Sequence, residues 1–373
     1  MKKIVSIMLV ILAGLKLCAQ NTYVFFGSFN HDKETEGIYV YELDTLKGKL
    51  SEITSVKGVL NPSFLTLSPD GKYIFACTES KTKNAGSVSS FAFNPEKKTL
   101  TFINSQKTGG ENPVYLAVHK NGKWLINGNY TEGSTSVYPI SEKGLIQPRV
   151  QNFQFSEGSV NPDRQDRAHI HSTVFSPDFK YVFLPDLGAD RIRAYAFETD
   201  KKEPLAEAEK PFTPTPLGSG PRHLTFHPNG KFAYCIEEMG GAVSAYQYKN
   251  GRLEPIQRIN THSDQYKDSF ESSDVHISPD GRYLYASNRG NENNITIFSI
   301  LNDGTLKTVS YQSTKGNHPR TFTIDSSGKF LIVAHPVSGT AVVFKRNAET
   351  GLLKKVGRKV RLNGVSTVQI RKY

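Results

Sequence analysis

Several residues in this sequence could move protons or bind anions if the fold gathered them. His169 and His171 stand in the stretch His169-Ile170-His171-Ser172. Arg222 precedes Glu238 by sixteen residues, and Glu237 is the neighbour of Glu238. Asp186, His276, Arg289 and Arg320 are scattered between and beyond them. A histidine titrates near about pH 6.5, so it can take or give a proton in neutral water. A carboxylate can accept a proton from water or orient an arginine. A guanidinium offers a planar fork of donors to a carboxylate or to a developing oxyanion. These residues lie far apart in the chain, so their chemistry depends on the elements that carry them.

One phrase recurs along the chain, first as Ser68-Pro69-Asp70-Gly71-Lys72-Tyr73-Ile74-Phe75. It returns at 119–126, 176–183, 227–234, 278–285 and 325–332, with spacings of 51, 57, 51, 51 and 47 residues. Asp or Asn followed by Gly supplies a tight turn. A short apolar strand such as Leu224-Thr225-Phe226 precedes each turn, and a β-branched and aromatic strand follows. A third strand, such as Ala242 to Tyr248, and a fourth, such as Leu253 to Ile259, complete the period. Four antiparallel strands in about 50 residues make one propeller blade.

Six phrases give six blades, and a seventh is split between the termini. Tyr23 to Gly27 matches the strand after a turn, and Ser366 to Ile370 matches the strand before one. The sequence therefore predicts an all-β fold, a seven-bladed β-propeller whose N- and C-terminal strands share one blade. Such closure removes open sheet edges.

The turn reverses the chain, so the start of each inner strand and the end of the next strand share one rim. Eight residues before the turn position stand Ser63, Val114, His171, Arg222, Ser273 and Arg320. Seven and eight after it stand pairs such as Asp186 and Leu187, Glu237 and Glu238, and Asn288 and Arg289. His169, His223, Asp274, His276 and His318 lie close to the same rim. Polar convergence of this kind marks a functional centre. Side chains alternate along a strand, so only one of Glu237 and Glu238 can face the channel. The Asp residues of the repeated phrases read as turn caps rather than metal ligands. His119 and His227, also in the turns, read as solvated.

The phrases Gly220-Pro221-Arg222-His223-Leu224-Thr225-Phe226-His227-Pro228-Asn229-Gly230-Lys231 and Leu184-Pro185-Asp186-Leu187-Gly188-Ala189-Asp190-Arg191-Ile192 resemble the seven-bladed propeller lactonase family. So do His169-Ile170-His171-Ser172 and Ser287-Asn288-Arg289-Gly290. That family includes bacterial 6-phosphogluconolactonases and fungal carboxy-cis,cis-muconate cyclases. The resemblance covers essentially the whole chain after residue 19 and implies a lactone-opening hydrolase that uses neither metal nor cofactor. By motif, it implies catalytic roles for His171, Arg222, Glu238 and Arg289. His169, Asp186, His276 and Arg320 are then the candidates for substrate binding. At Phe179 the chain departs from the family, because the turn Gly is replaced. Two alternatives stand beside hydrolysis of a sugar or acidic lactone: a muconate-type cyclase, and a non-catalytic scaffold in the cell envelope.

Composition narrows the setting. The chain has 373 residues, 22% charged and 37% hydrophobic, which excludes wholesale disorder. Three cysteines exclude a disulfide scaffold. Met1-Lys2-Lys3, an apolar run from Ile4 to Leu15, and Leu17-Cys18-Ala19 have the layout of a secretory signal over residues 1–19. Lipid attachment at Cys18 is the rival reading, weakened by the large Leu17 before it. Cleavage after Ala19 would leave one domain over 20–373, with no integral membrane segment and Cys77 and Cys235 as buried free thiols. The net charge of +11 is scattered along the chain rather than gathered in a stripe, which argues against a nucleic-acid partner. The expected partner is a small-molecule lactone, and the expected state is a monomer.

Overall fold

The computed structural model describes residues 20–373. The segment read as a signal, residues 1–19, lies outside the described residues. The described chain forms seven sheets of four antiparallel strands. The first blade is the split one. From axis to rim it runs Val365–Lys372, Thr22–Ser28, Ile38–Asp44 and Lys49–Val56. Val24 lies opposite Ile370 and Phe25 opposite Gln369, so the chain ends close the ring as the sequence predicts.

Burial along the strands explains their sequence patterns. Second strands such as Trp124–Asn129 and Phe330–His335 are buried on both faces and read as continuous runs. Outer strands such as Leu306–Ser313 alternate between half-buried and exposed positions after a buried Leu306, the pattern of a half-solvated strand. The apolar core lies between blades, not on the axis. Tyr23, Phe25, Ile74 and Phe91 join the first two blades, and Val24, Phe26, Phe330 and Val343 join the last to the first.

The inner strands are stitched around the axis by side-chain to backbone hydrogen bonds. Ser366 Oγ donates to the carbonyl of Ser63 at 2.9 Å, and Thr321 Oγ1 donates to the carbonyl of Ser366 at 3.0 Å. Ser273 Oγ donates to the carbonyl of Arg320 at 2.7 Å. These bonds hold the mouth of the channel to a fixed width.

The repeated turns behave as read. Asp70 Oδ1 accepts from Ser68 Oγ at 2.6 Å and from the Lys72 amide at 3.1 Å. Phe179 adopts the left-handed conformation, φ +61°, that glycine takes elsewhere in the series. Its ring stacks on Phe175 at 5.5 Å and meets His119 edge-on at 5.2 Å, which offsets the backbone cost. His119 is therefore not solvated: it is buried and also stacked on Phe197. His227 Nε2 lies 2.9 Å from the carbonyl of Gly281, a link between neighbouring blades. Cys77 and Cys235 are free and buried.

Candidate active site

Arg222 owes its aim to a β-bulge. Pro221 pairs with Glu237 and His223 with Ile236, so Arg222 is the extra residue of the inner strand Pro221–Phe226. A bulge leaves one residue out of the ladder and redirects its side chain. Glu238 follows the strand Phe232–Glu237 and is pinned at both ends. Its amide donates to the carbonyl of Gly220 at 2.8 Å, and its carbonyl accepts from the Ser272 amide of the next blade at 3.0 Å. The Arg289 amide donates to the carbonyl of Glu271 at 3.0 Å, and that of His171 to the carbonyl of Pro185 at 3.0 Å.

These four residues meet around one carboxylate. Arg222 Nε donates to Glu238 Oε2 at 2.8 Å, and Arg289 Nη2 lies 2.9 Å from the same oxygen. His171 Nε2 is 4.0 Å from it. Arg164 Nη2 takes the other oxygen, Oε1, at 2.6 Å. His171 Nδ1 is buried without a protein partner among the described residues, so Nε2 is the nitrogen turned toward Glu238. Glu237 faces the other way, as alternation requires. It accepts from Ser244 Oγ at 2.6 Å and Arg258 Nε at 2.9 Å.

Burial and charge set the protonation states. Burial opposes the charge of Glu238, but Arg289, Arg222, His171 and Arg164 outweigh it and hold the carboxyl well below its ordinary range. Burial pushes His171 well below the ordinary imidazole value, with Arg222 and His223 adding to the effect. Burial, then Arg289 and Arg320, bring Arg222 down to about 9, still cationic at neutral pH. The site at pH 7 thus holds an ionised carboxylate, a neutral imidazole and several guanidinium ions.

The remaining sequence candidates divide. His169 lies at the rim, stacked on Tyr130 at 4.4 Å, with Nδ1 2.7 Å from the Tyr130 carbonyl. Arg320 lies at the mouth over the Phe29 ring at 5.5 Å, and its guanidinium makes no hydrogen bond among the described residues. Lys81 sits over the same ring at 4.0 Å. Asp186 is a correction. Its carboxylate is buried inside its blade, where it accepts from Arg193 Nε at 2.9 Å and the His169 amide at 2.8 Å. It positions the His169 backbone and does not face the mouth. His276 is also a correction. It lies three residues further along its inner strand than the mouth register, and its Nε2 meets Asp274 Oδ2 at 3.1 Å.

Arg164 is the residue that the sequence reading missed. It lies between the third and fourth blades, where the spacing stretches to 57 residues. That excess was the available signal, since extra residues between blades must cross one end of the ring. Arg164 also borders a groove of about 700 Å³ that includes Asn161, Asp163, Phe270 and Glu271.

A closed ring of seven four-stranded blades, with its mouth built from arginine, histidine and glutamate, defines a β-propeller with a polar site at one end of its axis. The chain belongs to the seven-bladed β-propeller lactonase family, whose model matches residues 23–370. It is similar to the 6-phosphogluconolactonase of Formosa agariphila, 41% identical over 352 residues, which covers 94% of this chain and 99% of the relative. The 6-phosphogluconolactonase of Bacillus subtilis is 32% identical, over 86% of this chain and 90% of its own. Among solved structures, the periplasmic gluconolactonase of Pseudomonas aeruginosa superposes with a TM-score of 0.87 at 32% identity, covering 94% of this chain and 99% of that one.

Proposed function

We propose that the chain is a lactone hydrolase acting on a sugar or other acidic lactone, with its active site at the Glu238 mouth. The observation that carries this reading is the neutral His171 held 4.0 Å from a carboxylate that gathers Arg164, Arg222 and Arg289. Hydrolysis adds water oxygen to the lactone carbonyl, breaks the ring acyl C–O bond, and returns a proton to the leaving alkoxide. His171, uncharged at neutral pH, takes the proton from water and gives it to the alkoxide. Glu238 is a weak base because its arginine partners stabilise the ionised form. Its part is to hold the guanidinium groups in place. Arg320 has donors to spare for the oxyanion or for an acidic group of the substrate. The relatives named 6-phosphogluconolactonase and the periplasmic gluconolactonase support this class of reaction.

The setting is also a proposal. The basic start and apolar run at residues 1–19 suit export, and one similar protein is periplasmic. No helix among the described residues is long and apolar enough to cross a membrane. An exported monomer would meet unphosphorylated lactones more readily than phosphorylated ones. The test is a panel of phosphorylated, neutral and carboxylated sugar lactones offered to purified protein, with acid release followed in a pH-stat. Acid release above the spontaneous rate, abolished in His171→Asn, is the expected result. No release from any lactone would overturn the reading.

A further inference from the structure

Beneath the mouth, two buried residues complete a chain of contacts that ends on Glu238. Arg222 Nη1 lies 3.0 Å from His223 Nε2, and His223 Nδ1 lies 2.7 Å from Asp274 Oδ1. A guanidinium carries donors only. Nε2 must therefore accept, and the ring proton must sit on Nδ1, facing Asp274. Asp274 is itself held from three sides. Its Oδ1 accepts from the Val275 amide at 3.0 Å, and its Oδ2 accepts from the Phe322 amide of the next blade at 3.0 Å. His276 Nε2 meets Oδ2 as well. The His223 ring also packs at a steep angle against Tyr115 at 5.1 Å and His171 at 5.3 Å.

We propose that His223 and Asp274 are positioning residues for the hydrolytic centre, fixing the plane of the Arg222 guanidinium and through it Glu238 and His171. Arg222 meets three acceptors in three directions: Glu238 Oε2 through Nε, and the Ser273 carbonyl and His223 Nε2 through Nη1. Three directions determine a planar group completely. With the opposite tautomer, His223 would present an N–H to an N–H, and the guanidinium would have to swing away from Glu238. The charge on Asp274 excludes that tautomer. The proposal rests on the reading that Arg222 and Glu238 serve lactone hydrolysis.

The test combines kinetics with the state of one ring. In the wild type, long-range ¹H–¹⁵N spectra should show His223 protonated at Nδ1 and bare at Nε2. Asp274→Asn should lower kcat about 10²-fold, the cost of a small misplacement of reacting groups, while KM changes little. His223→Gln keeps an acceptor for Arg222 and should retain more of kcat than His223→Phe, which keeps none. Thermal melting accompanies each variant, and if Asp274→Asn does not fold, the His223 pair carries the kinetic test. A wild-type ring protonated at Nε2 overturns the proposal. So do folded Asp274→Asn and His223→Phe proteins with kcat within about twofold of the wild type. If the wild type opens no lactone at all, the functional reading fails. The ring spectrum and the exchange rate of the Arg222 Nε–H in Asp274→Asn then decide the positioning alone, faster exchange supporting it and unchanged exchange refuting it.

Discussion

The two ends of the propeller solve different problems. At the turn end, blades repeat one solution: Ser68, Ser176 and Ser278 each donate to an aspartate two residues on, at 2.6, 2.6 and 2.5 Å. At the mouth end, the same register holds Ser63, Val114, His171, Arg222, Ser273 and Arg320. Ser273 and Ser366 bind a neighbouring inner-strand carbonyl there, and Arg222 does so too, donating to the Ser273 carbonyl at 2.7 Å. Arg222 therefore does the work of a serine and reaches Glu238 besides. Where the repeat holds, every blade has the same physical need. Where it breaks while the backbone register continues, the need is local, and a polar cluster at such a break is a site.

If that distinction is right, the largest effect belongs to a mouth residue. His171→Asn should lower kcat/KM by about 10²–10⁴-fold, the usual cost of removing a positioned base. A base works only when unprotonated, and the value for His171 lies below the ordinary 6.5 because of burial and the nearby Arg222 and His223. The acid limb of the wild-type pH–kcat/KM profile should therefore fall below pH 6.5. A limb at or above that value would mean that His171 is not the base.

Adjacent glutamates offer a sharper contrast. Glu238→Gln removes the charge that holds Arg164, Arg222 and Arg289 together, and should cost about 10²–10³-fold in kcat. Glu237→Gln disturbs a buried carboxylate that pairs with Ser244 and the exposed Arg258 of its own blade, so its effect should appear in the melting temperature rather than in turnover. Reversal of the two outcomes would place the catalytic face one residue out of register.

The same contrast explains what could be read from the sequence. The blades were legible because the Asp-Gly turns and the alternation of outer strands recur at fixed spacing. The meeting of His171, Arg222, Glu238 and Arg289 was legible because inner-strand register sets the height of a side chain on the axis. Asp186 was misplaced although the rule that excludes it was at hand: it occupies the register of Glu237, and both face into their blades. His276 was misplaced because three residues along a strand is about 10 Å of depth. Arg164 lies outside the repeat, so the long spacing marks its segment but register gives it no position. Arg193 and Arg258, the partners of Asp186 and Glu237, sit on the third and fourth strands of their blades, whose pairing emerges only in three dimensions.

At the turn end, acid should reveal a smaller and purely structural effect. Burial opposes the charge of Asp280, but Ser278, Arg346 and the Arg282 amide hold it at about 2. In the unfolded chain an aspartate titrates near about 3.9. The folded value is the lower one, so this contribution is complete above about pH 4 and is lost as pH falls toward 2. Urea unfolding at pH 7 should find Asp280→Asn less stable than the wild type, with the gap narrowing at pH 3. A gap that widens on acidification would contradict the assignment.

The smallest effect concerns the left-handed position of two turns, Gly122 in one and Phe179 in the other. Gly122 holds φ +72°, and a methyl group there would meet nothing closer than Pro69 Cδ at 3.8 Å. Gly122→Ala should therefore cost only the left-handed backbone penalty, about 1–2 kcal/mol, and leave turnover untouched. Phe179 already bears that penalty at φ +61°. Phe179→Gly would relieve it but would also remove the ring from Phe175 and His119, contacts worth about 0.5–1.5 kcal/mol each. The opposing effects are similar in size, so urea midpoints should place Phe179→Gly within about 1 kcal/mol of the wild type. A clear gain in stability on Phe179→Gly would show that the aromatic cluster contributes little, and that the turn tolerates phenylalanine rather than using it.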